Sequence, residues 1–149
     1  MSHQIDFDHE FKYRNLGQGL AFPAVNVTLV GPKGEDDLIA IIDSGATYSL
    51  FDGVRAFSIG LALMDGRRET LSALSGQFVV WIHEVDLEIL GTRFRCEVAF
   101  SEQHIPRELL GRHTVFDRVR IGFREGISTS TFIPSPKTSE PPMLPLKVH

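Results

Sequence analysis

Two short segments of the chain hold the residue types from which acid–base catalysis is built. Ile41-Ile42-Asp43-Ser44-Gly45-Ala46-Thr47 brings one carboxylate, one hydroxyl and one glycine to the end of an apolar run. A hydrophobic approach can raise a carboxylate pKa, a neighbouring hydroxyl can fix the loop, and glycine lets another backbone come close. Such a carboxylate is suited to moving a proton to or from a water. Taken alone, Asp-Ser-Gly is also a common turn sequence without chemistry. A second segment about 65 residues downstream, Glu108-Leu109-Leu110-Gly111-Arg112, is another apolar pair ending in glycine.

Other chemistries find less support. The six histidines (His3, His9, His83, His104, His113, His149) show no spacing of i and i+4, so no metal site and no cofactor are expected. No Gly-x-Ser-x-Gly elbow is present for a serine nucleophile. The single cysteine, Cys96, excludes an intrachain disulfide and a cysteine zinc cluster, and its place in an alternating run reads as a buried structural thiol. Trp81 and Phe78 read as hairpin packing residues. Arg93 and Arg95, like Arg118 and Arg120, each define one solvated strand face balanced by Glu97 and Asp117.

The elements that must position the two segments read mostly with period two, the mark of half-buried strands. Val25, Val27 and Leu29 alternate with polar residues up to the turn Gly31-Pro32-Lys33-Gly34. Leu38 to Ile42 then forms a buried strand that delivers Asp43. Val54 to Ile59 reads as a helical turn. Asp65-Gly66, between Leu61–Met64 and Arg67–Leu74, is a hairpin signal. A longer hairpin follows, with Ser75-Gly76 at its tip and Gln77 to Ile89 as its return arm. Phe94, Cys96, Val98 and Phe100 define another strand, Ser101 to Arg107 a loop, His113 to Arg118 a short helix, and Val119, Ile121 and Phe123 a closing strand.

Length and composition set the outer limits. With 149 residues, 42% of them hydrophobic, the chain has the size of one compact domain. Fifteen basic against 19 acidic residues give a formal net charge of −4, which argues against nucleic acid or an anionic membrane as partner. The N-terminus is polar and acidic, unlike a secretion signal, and the apolar runs are too short to span a bilayer, so a cytoplasmic location is expected. Five of the eight prolines fall after Gly126, together with Ser128-Thr129-Ser130-Thr131, and this tail reads as an extended segment unable to ladder well. Pro142-Met143-Leu144-Pro145 within it meets a loose Pro-x-x-Pro pattern, and the tail reads as a simple linker or as a strand-like segment around Thr131-Phe132-Ile133 that pairs with a dimer edge.

The two segments, in this order and at this spacing, resemble the retroviral-type (retropepsin-like) aspartic protease family. Its signature is an apolar strand running into Asp-Thr/Ser-Gly-Ala and, later, an apolar-apolar-Gly-Arg entry to a short helix. Leu74-Ser75-Gly76-Gln77-Phe78-Val79-Val80 lies where that family has its glycine-containing flap, Glu88-Ile89-Leu90-Gly91 resembles the turn after it, and Arg120-Ile121-Gly122-Phe123 sits where the family's domain ends. The resemblance covers residues 22–124, leaving 1–21 as an N-terminal extension and 125–149 as a Ser/Thr/Pro-rich tail. It implies an all-β fold, a small closed barrel-like domain with a flap hairpin and one short helix, acting as a twofold homodimer on polypeptide substrates. It further implies Asp43 as the catalytic carboxylate, with Ser44, Gly45, Ala46 and Thr47 as the active-site loop. Leu74, Ser75 and Gly76 would form the flap tip, and Ile105 and Pro106 would help form substrate pockets. Leu110, Gly111 and Arg112 would give structural support.

The chain departs from viral members at Thr47, where an acidic residue usually stands to pair with the arginine of the Gly-Arg motif. Arg112 therefore needs another partner, Asp117 or a backbone carbonyl, or is solvated. Two further readings stay open: a catalytically silent dimerisation or peptide-binding module on the same fold, and an Asp-x-Gly-x-Thr phosphate loop of the kind found in actin and sugar-kinase-type ATPases. The latter fold needs two lobes, and no second phosphate loop is visible. A mechanism that needs two aspartates, in a chain with one Asp-Ser-Gly and no internal repeat, leaves half of the site to a twofold partner.

Overall fold

The computed structural model describes residues 8–17, 19–113, 115–134 and 147–148; His3, His149 and the Pro142–Pro145 pattern lie outside them. Alternating Val25, Val27 and Leu29 build β4 (Ala24–Gly31), which turns back through Pro32-Lys33 into β5 (Gly34–Ile42). Next come β6 (Leu50–Asp52) and a single α-helix, α1 (Gly53–Ser58), whose first turn is capped by the Asp52 side chain accepting from the Val54 N–H. The long hairpin consists of β7 (Arg67–Ala73) and β8 (Gly76–Ile89), and is followed by β9 (Thr92–Ser101) and β10 (Glu108–Leu110). The structure is thus all-β apart from one short helix and three 3-10 turns among the described residues.

Six strands close on themselves in the order β4-β5-β10-β6-β9-β8, with β8 returning to pair with β4. The length of β8 makes this closure possible. One of its edges carries β9 from Val80 to Ile89, while the other carries β7 from Gly76 to Ile82 and then β4 from Asp86 to Ile89. A closed ring leaves its members without free edges, so of this seven-stranded sheet only β7 stands outside it. The ring encloses fully buried Val27, Leu29, Ala40, Leu87, Ile89 and Phe100, each large aliphatic among them contributing about 1.5–3 kcal/mol on burial. A smaller apolar cluster of Leu50, Val80, Ile82 and Ala99 lies toward the hairpin, with Tyr48, Phe78, Ile105 and Leu109 packed against it.

A second sheet joins the two ends of the described chain in the order β1 (His9–Lys12), β12 (Thr129–Pro134), β11 (Val119–Arg124), β13 (Lys147–Val148). A short ribbon, β2 (Arg14–Asn15) with β3 (Ala21–Phe22), links β1 to the barrel.

Three local expectations change. Asp65-Gly66 is not a hairpin turn: Leu63–Asp65 form a 3-10 turn, because Leu61 and Leu63 pack against the core and β7 finds its partner in β8. The His83 ring sits against Gly66, where a Cβ would come within 2.6 Å of Nε2, and Nε2 lies 2.7 Å from the Leu63 carbonyl. The stretch His113 to Arg118 holds only a 3-10 turn, Phe116–Arg118, since buried Val115 and Phe116 lead directly into β11. The early part of the tail does ladder. After a 3-10 turn and a left-handed Ser128, Thr129 to Pro134 pairs with β11 on one side and β1 on the other, within one chain. Serine, threonine and β-branched residues fit a strand, and its proline comes only at the end. No helix among the described residues is long and apolar enough to cross a membrane.

Candidate functional site

Asp43 stands where β5 ends. The strand alternates, with Leu38, Ala40 and Ile42 facing the core and Asp37, Ile39 and Ile41 facing outward, so the following Asp43 emerges on the outer side. Asp43 is partly exposed and Ser44, Gly45 and Thr47 are exposed. The Asp43 side chain turns its own loop: Oδ1 accepts from the Gly45 N–H at 2.8 Å, and the Asp43 carbonyl accepts from the Ala46 N–H at 3.2 Å. A Cβ at position 45 would meet Asp43 Oδ1 at 3.1 Å, so glycine suits the tight approach.

The two sequence segments interlock through their backbones. β10 runs parallel to β5, pairing Leu109 with Ile41 and Leu110 with Ile42. Beyond the strand ends, the Asp43 N–H donates to the Leu110 carbonyl at 2.9 Å, the Arg112 N–H to Ala46 at 2.8 Å, and the His113 N–H to Thr47 at 2.6 Å. The Gly111 N–H donates to the buried Ser49 hydroxyl at 3.0 Å. Gly111 fits because it lacks a side chain: a Cβ there would stand 2.2 Å from the Tyr48 carbonyl oxygen and 2.8 Å from the Ser49 nitrogen. Arg112 is exposed, and its contact with the loop is made by its backbone. Beside it, the Tyr48 and His113 rings meet edge to face with centroids 5.3 Å apart.

The remaining candidate residues fall in two places. Leu74 and Ser75 are the two-residue tip between β7 and β8, with Ala73 paired to Gly76; Leu74 is fully exposed and Gly76 takes the positive φ of 122° that glycine tolerates. Leu74, Ser75 and Gly76 are all exposed. Ile105 and Pro106 line a groove of about 520 Å³ whose walls include Ile39 and Ile41 of β5 and Val54 of α1.

Several supporting residues carried no motif. Ser49 looks like an ordinary polar interruption in the sequence, yet it is fully buried under Gly111. Asp52 is both the cap of α1 and a latch on the groove loop: its Oδ2 accepts from the Ile105 N–H at 3.1 Å and lies 2.7 Å from His104 Nδ1. Burial alone would raise the Asp52 pKa, but the N–H groups of Val54 and Ile105 and the His104 ring outweigh it and hold the carboxyl below its usual range. Glu108 accepts from the Asp52 N–H at 2.8 Å and from Arg55 Nε at 3.0 Å, while Arg55 also reaches Asp36. Burial pushes the Glu108 carboxyl up in spite of these partners. An aspartate directly before a short helix is the local pattern that could have pointed to Asp52. Trp81 Nε1 donates to Glu102 Oε1 at 2.7 Å, tying β8 to the start of the same loop.

No family model and no curated protein matches the chain. Among solved structures the chain is similar to EIAV protease complexed with the inhibitor HBY-793, at 19% identity and a TM-score of 0.49. That match covers 66% of this chain and 86% of the other.

Proposed function

We propose that the chain is an aspartic endopeptidase whose site is shared by two copies, with residues 22–124 as the catalytic unit. The observation that carries this reading is the interlock of the Asp43 loop with Leu110-Gly111-Arg112: it holds a carboxylate at the open end of a buried strand by its backbone, leaving the exposed Ser44, Gly45 and Thr47 free for a second chain and a substrate. A single carboxylate does not supply both an acid and a base. Two of them roughly 3 Å apart cannot both ionise, the known behaviour of aspartic proteases, and so share one proton.

The ionised Asp43 takes a proton from a water held between the pair, and that water attacks the scissile carbonyl. The protonated Asp43 of the second copy donates to the carbonyl oxygen. Collapse of the tetrahedral gem-diol breaks the C–N bond: the first Asp43 passes the proton it took to the leaving nitrogen while a diol hydroxyl returns its proton to the second Asp43, which leaves an amine, a carboxylic acid and the one shared proton. Leu74, Ser75 and Gly76 close over the peptide, and Ile105 and Pro106 contact its side chains.

The test is cleavage of an unfolded protein at mildly acidic pH by the wild type and by Asp43→Asn. Activity in the wild type and its loss in the variant support the reading. Equal activity in both, or none in either, overturns it.

A further inference from the structure

We propose that Arg107 makes the groove beside Asp43 selective for a peptide segment with an acidic side chain; this deepens the proposed function and rests on it. The groove of about 520 Å³ runs along the outer face of β5, with Ile41, Ile105, Pro106 and Arg107 among its walls. Ile39 and Ile41 alternate on that face, and Asp43 comes two residues after Ile41, just past the strand end.

The charged groups around the groove differ in how fully they are engaged. Asp37 accepts from the Thr28 hydroxyl at 2.6 Å. Asp52 is held by Val54, Ile105 and His104, and Glu108 by Arg55 and the Asp52 N–H. Arg55 is neutralised by Glu108 and Asp36 together. Arg107 has no such match. Its guanidinium carbon lies 4.1 Å from the centroid of the Phe22 ring, and its Nη1 is buried without a hydrogen-bond partner among the described residues.

Stacking on an aromatic face fixes the plane of a guanidinium while leaving its charge uncancelled. A buried N–H without an acceptor is costly, and a fork fixed in advance loses little entropy when a planar acceptor arrives. Asp37 has a hydroxyl as its partner while Arg107 Nη1 has no acceptor among the described residues, so the complement that Arg107 lacks is an anion. In an extended peptide that anion is the carboxylate of Glu or Asp. The apolar walls made by Ile41, Ile105 and Pro106 take the neighbouring side chains.

The test uses a positional set of fluorescein-labelled octapeptides in which each position in turn is Glu or Gln. Binding is measured on Asp43→Asn protein, which holds peptides uncleaved, and cleavage is measured on the wild type. At one position Glu is expected to bind roughly tenfold tighter than Gln, with the same ratio in kcat/KM carried by KM. Adding Arg107→Met brings the ratio to about one, while Arg107→Lys keeps part of it. Glu and Gln binding equally at every position, or a preference that survives Arg107→Met, overturns the proposal. So does an Arg107→Met protein that sediments as a monomer where the wild type is a dimer, because the carboxylate would then belong to the second copy. A Glu preference in binding without cleavage by the wild type would sink the protease reading alone.

Discussion

The Asp43 loop and the Leu74-Ser75 hairpin tip are both glycine-containing turns on the same barrel, yet they are built in opposite ways. The loop is held from outside by N–H groups of Asp43, Arg112, His113 and Gly111 bonded across to the other segment, around a space that admits only a glycine. The tip has its β7–β8 ladder behind it, its Leu74 is wholly exposed, and a Cβ on Gly76 would touch nothing within 4 Å. Under the proposed function, the carboxylate that must hold its geometry sits where displacement breaks several buried contacts at once, while the segment that would open and close sits where displacement breaks few.

The largest expected effect comes from filling the space at the junction. Gly111→Ala places a methyl 2.2 Å from the Tyr48 carbonyl oxygen, and both neighbours are backbone. Since neither side gives way cheaply, a loss of about 3 kcal/mol or more is expected in urea unfolding, through overpacking and a broken junction. A loss under 1 kcal/mol would show that the junction is looser than the geometry implies. The same methyl at the hairpin tip, Gly76→Ala, meets no atom within 4 Å, and its cost, about 1–3 kcal/mol, comes from the positive φ alone.

An intermediate effect is expected at Asp52, which links the α1 cap to the groove loop. Asp52→Asn keeps the shape but loses charge-assisted bonds to Val54, Ile105 and His104, a change of about 1–2 kcal/mol at pH 7. Because the folded pKa lies below the unfolded one, this stabilisation is present above the ordinary aspartate range. It is lost as pH falls through the folded pKa, so wild type and variant begin to converge below about pH 4. Urea midpoints followed from pH 7 to pH 3 check the convergence.

The smallest effect on stability is expected at the tip. Leu74→Ser changes unfolding free energy by no more than about 0.5 kcal/mol, since the side chain touches nothing that folding buries. Under the proposed function it nevertheless lowers kcat/KM, by about fivefold or more, because the tip acts on bound peptide. Unchanged cleavage would remove Leu74 from the site.

How much of this was legible in the sequence depended on the range of the interaction. Period-two alternation in Val25 to Leu29 and in Phe94 to Phe100 gave strands, since each residue's face is a local property. Asp65-Gly66 misled because a turn signal says nothing about which strand its neighbours will meet, and the long β8 decided that. Thr129 to Pro134 looked like tail because of the prolines beyond it, whereas pairing with β1 and β11 fixed it from the two ends of the chain. At the site, Asp43 and Gly111 were visible as types and spacing. Ser49, Asp52 and Arg107 were not, because each takes its role from a partner 53 to 85 residues away: Gly111 N–H, Ile105 N–H and the Phe22 ring.

The central claim is that two Asp43 carboxylates make one site, and mixing tests it most directly. Wild type and Asp43→Asn are combined in equal amounts, allowed to exchange subunits, and assayed for peptide cleavage against wild type at the same total concentration. A shared site leaves activity only in pairs of two wild-type chains, about one quarter of the total by random pairing. Activity of about one half would mean that each chain works alone and would contradict the account.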